Sequence, residues 1–202
     1  WRPHLWITGA KGSGKSTLDG LVSGILGDMA LHVQGNTTEP GLRQALNGDA
    51  LPVLFDEFEA ENANAKAVID AARSAASDNT AAVIKGTPEG KPIYYHVRFA
   101  GMFSGVIANV QKEADRSRIV FLEMHARKRD EEQRRLLFEN LDRYDVGFGA
   151  GLLRRMLNAL ANGTFDAALS KIRTEIRIAG GDERKADVFA HLLAAHRVLT
   201  SD

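Results

Sequence analysis

Gly9-Ala10-Lys11-Gly12-Ser13-Gly14-Lys15-Ser16-Thr17 decides how this chain is read. The stretch has the spacing G-x-x-x-x-G-K-[ST] of a loop that cradles phosphates. Leu5-Trp6-Ile7-Thr8 precedes it as a short apolar run suited to a buried parallel strand. Leu18, Leu21, Val22, Ile25 and Leu26 follow it at helical spacing. The loop therefore stands between a strand and a helix, where inward backbone N–H groups meet the positive end of the helix. Glycines at 9, 12 and 14 let those groups turn inward without a Cβ in the way. Gly9, Gly12, Ser13, Gly14, Lys15, Ser16 and Thr17 form the expected nucleotide-binding set. Lys15 is placed to reach the β- and γ-phosphates and the Ser16 hydroxyl to ligate Mg²⁺. Lys11, at a free position of the pattern, reads as a solvent-facing lysine.

Leu51-Pro52-Val53-Leu54-Phe55-Asp56-Glu57 is the second decisive stretch, an apolar run that ends in two carboxylates. Asp56 suits a hard, octahedral cation held through water. Glu57 is the candidate that polarises an attacking water, which favours ATP hydrolysis over phosphoryl transfer to a small acceptor. Together the two stretches predict an α/β phosphate-loop NTPase using ATP and Mg²⁺.

The 202 residues allow one sizeable domain, and 44% apolar content allows a packed core. With no cysteine, disulfides and thiolate metal ligands are excluded, and a reducing cytoplasm is the expected location. No run approaches the roughly 20 apolar residues of a membrane span. No secretory leader is visible, and the opening at Trp1, directly before a strand, reads as a domain taken from a longer protein. With 26 basic and 26 acidic residues there is no global basic footprint, so any nucleic-acid contact has to be local.

Between and after these stretches the chain alternates strand and helix signals. Met29 to Val33 reads as a strand, Thr38 as the cap of a short helix, and Glu59 to Ser77 as an Ala-rich helix. Two β-prone segments around Gly86-Thr87-Pro88-Glu89-Gly90-Lys91-Pro92 predict a hairpin at about 80–99. Alternation puts Ile93, Tyr95, Val97 and Phe99 on one face and Tyr94, His96 and Arg98 on the other. Lys85, Lys91 and His96 are the candidate DNA contacts, with Lys85 expected on the wet face beside His96 and Arg98. Met102 to Ala108 is a buried strand ending in Asn109, which is placed to sense a γ-phosphate. Arg116 and Arg118 stand just before the last core strand, as an arginine finger given to a neighbouring subunit would, or in ion pairs with Asp115 or Glu113. From Ala126 the pattern is helical only, with leucine-rich rows read as core and breaks at Asn162-Gly163 and Gly180-Gly181. Arg154 or Arg155 is a candidate to reach back to nucleotide. The expected division is thus a core at 1–125 and a helical segment at 126–202.

In this order of parts the chain resembles AAA+ ATPases of the superfamily 3 helicase type. Arg2-Pro3-His4-Leu5-Trp6-Ile7-Thr8-Gly9, Leu51 to Glu57 and Ala114-Asp115-Arg116-Ser117-Arg118 look like the ATPase domains of primase-helicases from phages, plasmids and other mobile elements. The resemblance covers residues 2 to about 122. It implies an AAA+-like parallel sheet with flanking helices, an inserted hairpin and an all-helical C-terminal segment. It also implies an ATP-driven replicative helicase that works as a hexameric ring on single-stranded or forked DNA, with a primase domain in the full-length chain. Carried over, Lys15, Ser16 and Asp56 hold MgATP, Glu57 activates water and Asn109 reads the γ-phosphate. Arg116 or Arg118 acts on the neighbour's ATP, and the hairpin near Lys91 grips single-stranded DNA. The rival from another class is an AAA+ switch or remodeller that acts on protein without unwinding DNA.

Overall fold

The computed structural model describes residues 1–59, 61–77, 82–106, 108, 110, 112–128 and 130–200. In chain order its strands are β1 (His4–Gly9), β2 (Leu31–Gln34), β3 (Pro52–Asp56), β4 (Val83–Gly86), β5 (Pro92–Tyr95), β6 (Ala100–Ser104) and β7 (Ile119–Met124). Its helices are α1 (Lys15–Leu26), α2 (Glu39–Leu46), α3 (Ala65–Ala76), α4 (Glu113–Arg116), α5 (Glu131–Leu141), α6 (Val146–Ala161), α7 (Thr164–Ile178) and α8 (Glu183–Thr200). The chain forms two compact units, residues 1–7 with 30–122 and residues 8–29 with 123–202. It is an α/β protein of the phosphate-loop NTPase kind, with a parallel sheet, flanking helices, a separate hairpin and a helical C-terminal segment.

The first unit is built on a five-stranded sheet of order β2-β3-β6-β1-β7, in which β2, β3, β6 and β1 pair in parallel. Trp6 and Phe55 are both in register with Phe103 on the strand between them. Their rings stack across the strands, Phe55 on Phe103 at 4.6 Å, Phe103 on Trp6 at 5.3 Å and Trp6 on Phe121 at 6.1 Å. Offset stacks of this kind add about 0.5–1.5 kcal/mol per pair beyond the area they bury. Phe58 meets the row edge-on, touching Trp6, Phe55 and Phe103. Helix α3 lays a face of Ala65, Val68, Ile69, Ala72 and Ala75 into the same core, and its alanines permit a close approach.

His4 is fully buried and ties three elements together. The Gly101 N–H donates to its Nδ1 at 2.8 Å, so Nε2 carries the proton and donates to the Ala72 carbonyl at 2.7 Å. Only the neutral ring can serve both partners. Arg2 continues this seam, its backbone N–H on Ala76 O and its guanidinium on Ala75 O and Ser77 O, the carbonyls that α3 leaves open at its end.

Several elements differ from expectation for local reasons. Residues 27–29 form a 3₁₀ turn, so β2 starts at Leu31. Helix α3 starts at Ala65, because Asn62 Oδ1 takes the Asn64 N–H at 3.0 Å and bends the chain before it. Thr38 caps α2 as expected, accepting from the Gly41 N–H at 3.2 Å. Strand β5 stops at Tyr95, since Phe99 turns inward to pack on His4 and Phe55.

In the second unit α1 packs on α6, and α6, α7 and α8 pack on one another. Gly149 of α6 lies against the Ile25 carbonyl of α1, where a Cβ would collide. Ile172, Ala190 and Ala194 are buried with Phe165, Leu169 and Ile176 beside them, and Arg173 pairs with Asp187 at 2.6 Å. The breaks at Asn162-Gly163 and Gly180-Gly181 are where α6 and α7 end. The leucine rows are not all core. Leu153, Leu157 and Leu160 of α6 and Leu136 of α5 are exposed, because α6 buries its Gly149–Ala159 side and α5 buries no residue.

Burial pushes the His4 pKa down from 6.5 to about 4, opposed by the hydrogen bond to Ala72 and aided by the charges of Arg118 and Arg2. The unfolded chain takes up this proton near its ordinary value, while the folded chain refuses it until about pH 4. Stability from this group is therefore complete above pH 6.5 and is lost as pH falls toward 4, by about 3 kcal/mol. In urea titrations at about pH 7.5 and about pH 4.5, His4→Gln should lose less on acidification than the parent chain. Equal losses would remove His4 as the source.

Candidate nucleotide site

The glycine loop lies in the second unit. Its backbone takes positive φ at Gly9 (156°), Gly12 (81°) and Gly14 (97°), as the sequence requires, and the Ser13 N–H closes a turn on the Ala10 carbonyl at 3.1 Å. Helix α1 starts at Lys15 with no side chain capping it and no acid in its first turn. Its opening N–H groups and the positive end of its dipole are thus left to an anion. Lys15 Nζ donates to the Gly9 carbonyl, folded back over the loop. The Ser13 hydroxyl is buried and has no hydrogen-bond partner among the described residues. A triphosphate fits such a loop: it gives the ammonium and the helix end a counter-charge and the hydroxyl an acceptor. Ser16 and Lys11 are exposed, and Thr17 is half-buried.

The acidic pair lies in the first unit. Phe55 is buried in the aromatic row, and Asp56 and Glu57, directly after it, are exposed. Glu57 takes φ 51°, a left-handed conformation rare for a side chain of this kind. It is held there from both sides. Phe58 returns to the core, its N–H donating to Ser104 O at 2.7 Å, and Gly35 crosses so close that a Cβ would strike the Glu57 carbonyl. The Gly105 N–H donates to Ile7 O at 3.1 Å, so the ends of β1, β6 and the segment after β3 are laced together. Sequence reading missed Phe58 as the anchor of this turn, although a lone aromatic directly after two acids was the signal.

Arg116 and Arg118 divide in role. Arg118 is half-buried, its Nη1 on Ala114 O at 2.5 Å. Arg116 is exposed, its guanidinium 5.9 Å from the centre of the Phe121 ring. Asp115, an expected partner for either arginine, is buried and accepts instead from Arg73 Nε of α3. Arg73 also reaches Asp70 at 2.5 Å, with Lys112 beyond at 3.6 Å. Asn109 lies outside the described residues. In the helical unit Arg155 is spent on its own fold, donating to Leu199 O at 2.6 Å near the end of α8, while Arg154 is exposed.

The hairpin pairs Val83 with Tyr95, Ile84 with Tyr94, Lys85 with Ile93 and Gly86 with Pro92. This register corrects one expectation. Lys85 stands opposite Ile93 and so shares the face of Tyr95, not that of His96 and Arg98. The turn sets it: the Thr87 N–H and hydroxyl both bond to Lys91 O, and the Gly90 N–H to Thr87 O, which fixes a five-residue connection at 87–91. Lys85, Lys91 and His96 are all exposed.

Among the described residues no three His, Asp or Glu side chains converge as a metal cluster. No described helix is long and apolar enough to cross a membrane.

No family model and no curated protein matches this sequence. Among solved structures, one of JCV helicase bound to a thiazolopyridinyl-phenoxyphenyl acetamide is similar at 17% identity and a TM-score of 0.47. The match covers 77% of this chain and 45% of that one, so this chain spans under half the length of that relative.

The left-handed backbone at Glu57 gives a direct test. A non-glycine residue there costs about 1 kcal/mol that glycine avoids. Glu57→Gly should raise stability to urea by a few tenths to about 1 kcal/mol while removing the carboxylate. A destabilised variant would show that the Glu57 side chain supports the turn.

Proposed function

We propose that this chain is the ATP-hydrolysing motor domain of a replicative DNA helicase of the primase-helicase type, from a mobile element, moving along DNA as a ring. One observation carries the reading. Trp6 and Phe55 are level with Phe103 on parallel strands, so the chain leaves β1 for the glycine loop and β3 for Asp56 at strand ends one neighbour apart. Ligands of open α/β sheets bind at such carboxyl ends. The resemblance of Arg2 to Gly9, Leu51 to Glu57 and Ala114 to Arg118 supports the finer assignment to primase-helicases.

The roles follow from the chemistry of each residue. The loop N–H groups and Lys15 take the phosphates of ATP, and Ser16 and Asp56 hold Mg²⁺. When bound, Mg²⁺ draws charge off the phosphate oxygens. Glu57 orients water and accepts its proton, from a turn that keeps the carboxylate exposed at the strand end. Arg116, exposed and on a ring, suits the finger given to a neighbouring subunit, whereas Arg118 is engaged on its own backbone. Asn109 keeps its γ-phosphate role from the resemblance alone. Lys85, Lys91 and His96 supply charge for DNA.

Lys15→Ala should abolish the heat of ATP binding in calorimetry. Glu57→Gln should bind ATP normally and turn over at least about 10²-fold more slowly. Normal turnover in Glu57→Gln would remove the water-activating role.

Mixing Arg116→Ala with Glu57→Gln protein should restore part of the ATPase rate, since some interfaces then pair an intact carboxylate with an intact arginine. Absence of rescue in assemblies shown to mix would exclude Arg116 as a finger in trans. An ATPase rate indifferent to single-stranded DNA would favour a remodeller of protein over a helicase.

A further inference from the structure

The two faces of the hairpin are treated differently. Tyr95, half-buried, lies under the guanidinium of Arg43, which stands 4.1 Å from the ring centre. Arg43 is itself buried in α2 and paired with Glu39 at 3.2 Å. This cation–π contact anchors the face that carries Val83 and Tyr95. The opposite face carries Ile84 and Tyr94 as a cross-strand pair, and both are open to solvent, at 59% and 61%. The pair adds cross-strand contact to the hairpin yet leaves most of the Tyr94 ring open to solvent. The surroundings are cationic. Lys91 closes the turn and His96 follows Tyr95, while Lys85 stands on the Tyr95 face; Glu89 is the single acid in residues 82–96.

We propose that Tyr94, backed by Ile84, is a stacking platform for an unpaired base of single-stranded nucleic acid, with Lys91 at the turn meeting an adjoining phosphate. The proposal rests on the DNA-binding reading of the hairpin and deepens it: Lys91 supplies charge beside the platform, Lys85 supplies it from the other face, and Tyr94 selects strands whose base faces are free. An aromatic ring accepts the face of any base, so the site is tolerant of sequence. A duplex, whose base faces are already stacked on one another, gains nothing from it.

The test uses the full chain and fluorescence anisotropy with three labelled probes of one length: oligothymidylate, an abasic oligomer and a duplex. Tyr94→Ala should weaken oligothymidylate binding about tenfold, and Tyr94→Phe should keep it. The slope of log affinity against log salt should stay unchanged in Tyr94→Ala and become shallower in the Lys85→Ala, Lys91→Ala double variant. Abasic and duplex probes should bind Tyr94→Ala and the parent chain equally. Full oligothymidylate affinity in Tyr94→Ala, with a loss in the lysine variant, overturns the stacking role while the hairpin reading stands. Full affinity in both variants overturns the hairpin reading together with the proposal. Loss of assembly in Tyr94→Ala by sedimentation, with oligothymidylate affinity per subunit unchanged, assigns Tyr94 to a protein contact and overturns the proposal.

Discussion

The stacked row Phe55, Phe103, Trp6 and Phe121 is the constraint on which the sheet depends. Parallel strands have no tight turn to set their register, and a slip of one residue exchanges the two faces of a strand. Here β3, β6, β1 and β7 each bring one ring to the row, and a slip of β6 or β1 would break two stacks. Because the row lies one residue before Asp56 and three before Gly9, fixing it also fixes where β3 and β1 end. Phe58 adds a lock across the row, and its backbone bond to Ser104 carries the rigidity of the core into the turn at Glu57.

The acids of the candidate site are exposed, and their supports are buried. Asp56, Glu57, Ser16 and Arg116 are exposed, and what holds the first-unit members in place is buried: Phe55 and Phe58 for the acids, Asp115 with Arg73 for the α4 turn before Arg116. The unfavourable φ at Glu57 belongs with this division. A residue keeps a left-handed backbone only where its neighbours over-determine it, and Phe58 and Gly35 do so.

Much of the fold was legible because its signals are local. The glycine loop, the apolar run into two acids and the cap at Thr38 each need only a few neighbouring residues to be read. What was not legible depends on partners far along the chain. His4 reads as an ordinary polar residue before a strand until Gly101 and Ala72 close on its two nitrogens. The face of Lys85 depends on the length of the turn, which Thr87 and Lys91 decide through bonds no alternation pattern contains. Asp115 beside two arginines suggests a local ion pair, and its partner comes from α3.

The helical unit shows the same limit from the other side. Periodicity says that a face is apolar and says nothing of what covers it. Leu153, Leu157 and Leu160 recur at helical spacing as a core row would, yet α6 turns Gly149 and Ala159 inward, and at Gly149 the missing side chain lets α1 approach within backbone contact. Close backbone packing won over burial of larger side chains. The close contact falls at Ile25, in the last turn of α1, so the small residue on α6 fixes the end of that helix farthest from Lys15.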